Sequence, residues 1–90
     1  MNKVSQTTQF SRDVKRMRKR GKNLGKLQEV VRLLAAGTAL PAMHRDHPLI
    51  GQWAPSGDCH VEPDWILIYT AAPESLRLER TGTHCDLFRN

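Results

Sequence analysis

Ninety residues with a net charge of +5 and a hydrophobic content of 39% can build a single compact core and little more. That apolar fraction excludes a disordered chain, and no stretch approaches the ~20 apolar residues that a membrane span needs. The opening Met1-Asn2-Lys3-Val4-Ser5-Gln6 runs polar into charged sequence without the apolar region of a signal peptide, which points to the cytoplasm. There Cys59 and Cys85 are expected as reduced thiols, since two cysteines make no secreted disulfide framework. Residues 1–90 read as one domain.

The charge is unevenly placed. Residues 1–45 hold eleven of the fourteen Lys and Arg against two acids, Asp13 and Glu29, whereas residues 46–90 hold Arg77, Arg80 and Arg89 against seven acids. A first half this basic calls for a polyanionic partner, RNA or an acidic protein, because solubility alone requires less.

In chain order, residues 2–7 read as a short strand. Thr7 or Thr8 offers an N-cap to a helix over 8–20, where Phe10, Val14 and Met17 make one apolar stripe. Gly21 stops it. Asn23 caps a second helix to about Ala36, with Leu24, Leu27, Val31 and Leu34 as the buried stripe and Val30 and Leu33 at its edges. So short a joint predicts an antiparallel helical hairpin carrying most of the positive charge. Residues 40–48 read as a loop in which Pro48 forces His47 to be extended. Strands follow at 49–53, 58–62, 65–71 and 75–81, separated by Pro-, Gly- and Asp-rich turns. Trp65-Ile66-Leu67-Ile68-Tyr69 is apolar on both faces and should be the central strand. The expected fold class is α+β: an N-terminal strand and a helical hairpin packed on an antiparallel sheet.

All four histidines, His44, His47, His60 and His84, fall after residue 43. Histidine is the usual proton carrier near neutral pH. RNA can be cut without metal if a base takes the 2′-hydroxyl proton, an acid protonates the 5′-oxygen and a cation steadies the phosphorane. His60, Glu62 and Asp64 share parity and would line one face of a regular strand, although Pro63 can place Asp64 at a bend. His44 is expected at the loop surface. His84 and Cys85 point to opposite faces if that segment is extended. The spacings fit no structural zinc site, so neither a metal nor a cofactor is expected. Nothing nearby marks either cysteine as a low-pKa nucleophile. Phe88, close to the C-terminus, either pins the tail to the core or stacks on a base.

The segments Asp46-His47-Pro48-Leu49, Gly51-x-Trp53, His60-Val61-Glu62-Pro63-Asp64-Trp65-Ile66-Leu67-Ile68-Tyr69, Arg80-Thr81-Gly82-Thr83-His84 and Leu87-Phe88 together resemble the YafQ branch of the RelE/ParE superfamily of type II toxin–antitoxin ribonucleases. Phe10-x-x-Asp13-x-Lys15 and the basic end of the first helix are also similar, so the resemblance spans nearly the whole chain. It implies a RelE-like fold and endonucleolytic cleavage of mRNA, typically in the 30S ribosomal A site, leaving a 2′,3′-cyclic phosphate. It also implies a DinJ-like or RelB-like antitoxin, with operator DNA reached only through that complex. The family's active-site positions correspond to His47, His60, Asp64, His84 and Phe88, with Trp65 bordering the site. On this basis His84 is the general acid, Asp64 or His47 the base, and His60 supports the phosphate. Phe88 stacks on the nucleotide and Arg80 steadies the phosphate. Lys15, Arg16, Lys19, Arg20, Lys22 and Lys26 hold ribosomal RNA. One departure is Ala54-Pro55-Ser56-Gly57, which replaces a Lys-Gly-Tyr-Arg-like stretch and so lacks its cations and tyrosine. Two other readings stand beside the ribonuclease: a non-catalytic RNA- or ribosome-binding module (a weakened toxin), and a metal-binding interaction protein.

Overall fold

The structure, a computed structural model, describes residues 3–38, 40–44, 47–48 and 56–88. Strand β1 (Lys3–Gln6) leads into helix α1 (Thr8–Lys19) and helix α2 (Leu24–Ala35). A 3-10 turn over Ala42–His44 precedes β2 (His47–Pro48), and then come β3 (Gly57–Glu62), β4 (Trp65–Ala72), β5 (Ser75–Gly82) and the short helix α3 (His84–Phe88). The five strands order as β1-β5-β4-β3-β2. The expected strand at 49–53 lies outside the described residues, as do Ala54 and Pro55 of the altered turn.

Local chemistry sets the helix ends. Thr7 accepts a hydrogen bond from the Phe10 amide at 2.9 Å, and its hydroxyl donates to the Glu79 carbonyl at 2.7 Å, so one residue caps α1 and ties it to β5. Asn23 caps α2 through the Gly25 amide at 2.9 Å. Gly21 supplies the left-handed φ of 81° that lets the chain turn between the helices.

Alternation along β4 divides the interior in two. Phe10, Met17, Leu27 and Val30 of α1 and α2 bury against Cys59, Val61, Trp65, Leu67, Tyr69, Leu76 and Leu78. Ile66 and Ile68 face the opposite way and pack with Leu87 and Phe88 of α3. As expected, β4 is the central strand, and Trp65 through Tyr69 are all buried. Helix α2 is rotated from its expected stripe: Leu27 and Val30 are the buried residues, while Leu24, Val31 and Leu34 are partly buried. Val30 is therefore core rather than edge.

The sheet is antiparallel except at one edge, where β1 pairs in parallel with β5, Lys3 opposite Ser75 through Gln6 opposite Leu78. A groove opens beside this edge, lined by Val4, Phe10, Val14, Leu24, Leu27 and Val31, with Lys15, Arg18 and Arg32 also on its wall. Among the described residues no helix is long and apolar enough to cross a membrane.

Candidate active site

The site lies on the α3 face of the sheet. Cys59 and Val61 of β3 point toward α1 and α2, so His60 between them points to the other face. A register shift between His60 and Glu62 breaks the alternation there, so the expected shared face of His60, Glu62 and Asp64 is not a regular strand face. Pro63 and Asp64 form the turn into β4, and that turn brings Asp64 to α3.

His84 opens α3 rather than extending as a strand. Its backbone amide donates to Asp64 Oδ1 at 3.1 Å, and its ring Nδ1 lies 2.6 Å from the same oxygen. An ionised carboxylate only accepts, so Nδ1 carries the hydrogen and Nε2 faces away from the acid. The bonds from His84 hold the Asp64 carboxyl below its ordinary range. The His60 ring meets the His84 ring edge-on at 5.5 Å between centroids, and the Phe88 ring lies 6.2 Å from His84. Phe88 also leans on the Ile66–Ile68 cluster, so it both pins the tail and borders the site. His47 occupies β2 opposite Asp58, and its side chain lies outside the described residues.

Three sequence expectations change. Trp65 is fully buried beneath α1 and α2 and donates its indole N–H to Thr81 at 2.8 Å, so it borders no site on the α3 face. Its even spacing from Leu67 and Tyr69 sends it to the helix-covered side, one step from Ile66. His44 is buried rather than at the surface, donating from Nδ1 to the His60 carbonyl at 2.6 Å. It therefore braces the backbone that presents His60. Third, most of the expected RNA-binding cations are held within the protein: Arg16 by Asp13, Arg20 by Asp86, and Lys22 and Lys26 by Glu62. Lys15 and Lys19 are exposed on α1. Arg80 is anchored by the Asp13 carboxylate, its Nε 2.7 Å from Asp13 Oδ2 and its NH2 3.2 Å from Oδ1.

In the sequence Asp13 stood as an acid on a basic helix, within Phe10-x-x-Asp13-x-Lys15, with no role given to it. It is fully buried and also accepts from Arg16, Gln9 and the Thr81 amide. Its place three residues after Phe10 and four before Met17 puts it beside the apolar stripe, which is the signal that could have found it. Asp86 was missed as well. With Thr83 it forms a reciprocal cap: Asp86 Oδ2 accepts from the Thr83 amide at 2.9 Å and Thr83 Oγ1 accepts from the Asp86 amide at 3.2 Å. The Thr-x-x-Asp spacing carried that signal. Cys59 is buried in β3 and Cys85 is exposed on α3, so they form no disulfide.

A small α+β fold with paired histidines and an orienting acid outlines the toxin-like nucleases. Residues 2–89 match the family described as bacterial toxin of type II toxin-antitoxin system, YafQ. The chain is 50% identical over 86 residues to the mRNA interferase toxin YafQ of Escherichia coli K12, covering 94% of each protein. A crystal structure of the E. coli DinJ-YafQ complex contains a chain that superposes with a TM-score of 0.92 at 47% identity, covering 98% of this chain and 99% of that one. A metal-bound toxin from Helicobacter pylori superposes with a TM-score of 0.91 at 34% identity, covering 98% and 100%. The chain belongs to the YafQ family of type II toxin–antitoxin toxins.

Proposed function

We propose that this protein is an mRNA endoribonuclease, cutting ribosome-bound message in the cytoplasm with His84 as the proton carrier. The observation that carries the reading is the doubly bonded His84–Asp64 pair with His60 and Phe88 around it. Its relatives' name, mRNA interferase toxin, supports the substrate class.

Strand cleavage needs the 2′-oxygen to lose its proton and attack phosphorus while the 5′-oxygen gains one and leaves. With Nδ1 committed to Asp64, His84 presents Nε2 to the substrate. Protonated, it gives that proton to the 5′-oxygen, and the neighbouring carboxylate stabilises the imidazolium. Asp64, held below its ordinary range and already accepting two bonds, suits orientation better than proton abstraction. That leaves the base to a histidine, His60 or His47. Phe88 stacks on a nucleotide, and Arg80 adds positive charge from its Asp13 anchor. These groups complete the reaction without a metal, so EDTA should leave cleavage unchanged, and a loss restored by one added divalent metal would overturn this.

The antitoxin reading follows the DinJ-YafQ relative. The apolar groove beside β1 fits an amphipathic antitoxin segment, with acids meeting Lys15, Arg18 and Arg32. The direct test is purified chain added to ribosomes programmed with a short mRNA. Wild type should leave 5′ fragments ending in a 2′,3′-cyclic phosphate, and His84→Ala should leave the message intact. Ribosome binding without cleavage by wild type would favour the non-catalytic module.

A further inference from the structure

We propose that Arg20 and Asp86 form a clamp that positions α3, and with it His84, so that Arg20 is a positioning residue rather than an RNA contact. The proposal rests on the reading of His84 as the proton carrier.

Helix α3 has five residues, His84–Phe88, far fewer than a helix needs to persist alone. It carries His84 at its first position and Phe88 at its last, so its orientation sets the geometry of both. Three attachments hold it. Leu87 buries against Ile66 and Ile68. Asp64 receives the first amide and the His84 ring. The third comes from another element: the guanidinium of Arg20, just past α1, grips Asp86 with NH1 on Oδ2 at 2.7 Å and NH2 on Oδ1 at 3.0 Å. Two parallel bonds fix direction as well as distance, which a single point charge does not.

The surroundings are shaped to this contact. The Asp86 side chain is only 14% exposed, and it caps α3 through Thr83 while it holds Arg20. Gly82 passes so close that a Cβ there would sit 3.0 Å from Asp86 Cβ and Oδ2. The Arg20 bond also holds the Asp86 carboxyl far below its ordinary range, so the clamp stays charged wherever the enzyme works.

The clamp and the RNA-contact readings predict opposite kinetics. An arginine on phosphate adds affinity, so its loss raises KM and lowers the salt slope by about one. Asp86→Asn would then free Arg20 and remove a repelling charge, leaving KM equal or lower. A clamp instead misplaces the proton carrier when either partner is lost, and a shift of about 1 Å can cost about 10²-fold in rate.

Single-turnover cleavage on programmed ribosomes should therefore be measured for wild type, Arg20→Ala, Arg20→Lys, Asp86→Asn, the Arg20→Ala/Asp86→Asn double variant and His84→Ala. The expected result is a kcat lowered about 10²-fold in both single alanine and asparagine variants, with KM and salt slope near wild type and no further loss in the double. Arg20→Lys, which keeps the charge but not the fork and leaves the Thr83–Asp86 cap intact, should share the kcat loss. The His84 ring resonances should also show Nδ1–H broadening or shifting, relative to wild type, in the Arg20 and Asp86 variants and their double. A raised KM with normal kcat in Arg20→Ala, or normal kcat in Asp86→Asn, overturns the clamp while His84→Ala stays inactive. Cleavage by His84→Ala equal to wild type overturns the site itself, and the clamp's role with it.

Discussion

Asp13 and Asp64 show how the same side chain does different work according to what surrounds it. Asp13 is buried under α1 with Arg16, Arg80, Gln9 and the Thr81 amide donating to it. Removing one partner of a buried ion pair strands the other, so Asp13→Ala should cost about 3–5 kcal/mol, read as a lower urea midpoint. Asp64 is exposed, and the role proposed for it comes from its geometry alone. Asp64→Asn should keep the fold and lower cleavage by about 10²-fold or more, the range a positioned proton carrier supplies. An unchanged rate would show that the ring needs no carboxylate charge at Nδ1. The carboxyls of Glu62, Asp64 and Asp86 all lie below their ordinary range, because Lys26 and Lys22, His84, and Arg20 respectively donate to them. Depressed carboxyls favour the folded state only while ionised. Their contribution is complete above the unfolded-state values near about pH 4 and is lost as pH falls through the lower folded-state values. Urea midpoints across pH should thus be level near neutrality and drop below about pH 4. A drop beginning near pH 6 would point to a histidine instead.

At the scale of elements, what could be read from the sequence was what local pattern decides. Phe10 and Met17 marked the buried stripe of α1, the Thr7-Thr8 pair and Asn23 marked the helix starts, and the doubly apolar run from Trp65 marked the central strand. What could not be read depended on partners distant in the chain. β1 is exposed along its length, and its parallel pairing with β5 joins residues some seventy positions apart. α3 is too short to announce itself and exists because Asp64, Arg20 and the Ile66–Ile68 cluster hold it. The same applies to the site. His60, His84 and Phe88 were named from resemblance, and the backbone brings them together, whereas the pairing of three of the six named cations was invisible without knowing where Asp86 and Glu62 lie. The close passage of Gly82 gives an element-scale prediction. Gly82→Ala must push Asp86 and α3 outward, so it should cost about 1–3 kcal/mol and slow cleavage. A variant as stable and as fast as wild type would mean α3 tolerates the shift.

Across the whole molecule, the basic first half and acidic second half partly neutralise each other. Lys22 and Lys26 meet Glu62, and Arg20 meets Asp86, so part of the N-terminal charge fastens the two halves together. Ribosome binding should still weaken with salt, but with a slope set by the exposed cations such as Lys15 and Lys19 rather than by all six. Titrating binding against salt separates the two, since log-affinity falls by about 0.7–0.9 per phosphate neutralised for each tenfold rise in salt. In the proposed reaction a histidine held by Asp64 cuts message during translation. That reaction is tested most directly by inducing wild type and His84→Ala in bacteria and mapping 5′ ends of a translated reporter by primer extension. Wild type should give discrete in-frame cuts that are absent with His84→Ala and absent when the reporter's start codon is removed. Equal cutting by both chains, or growth arrest with no cuts at all, would contradict it.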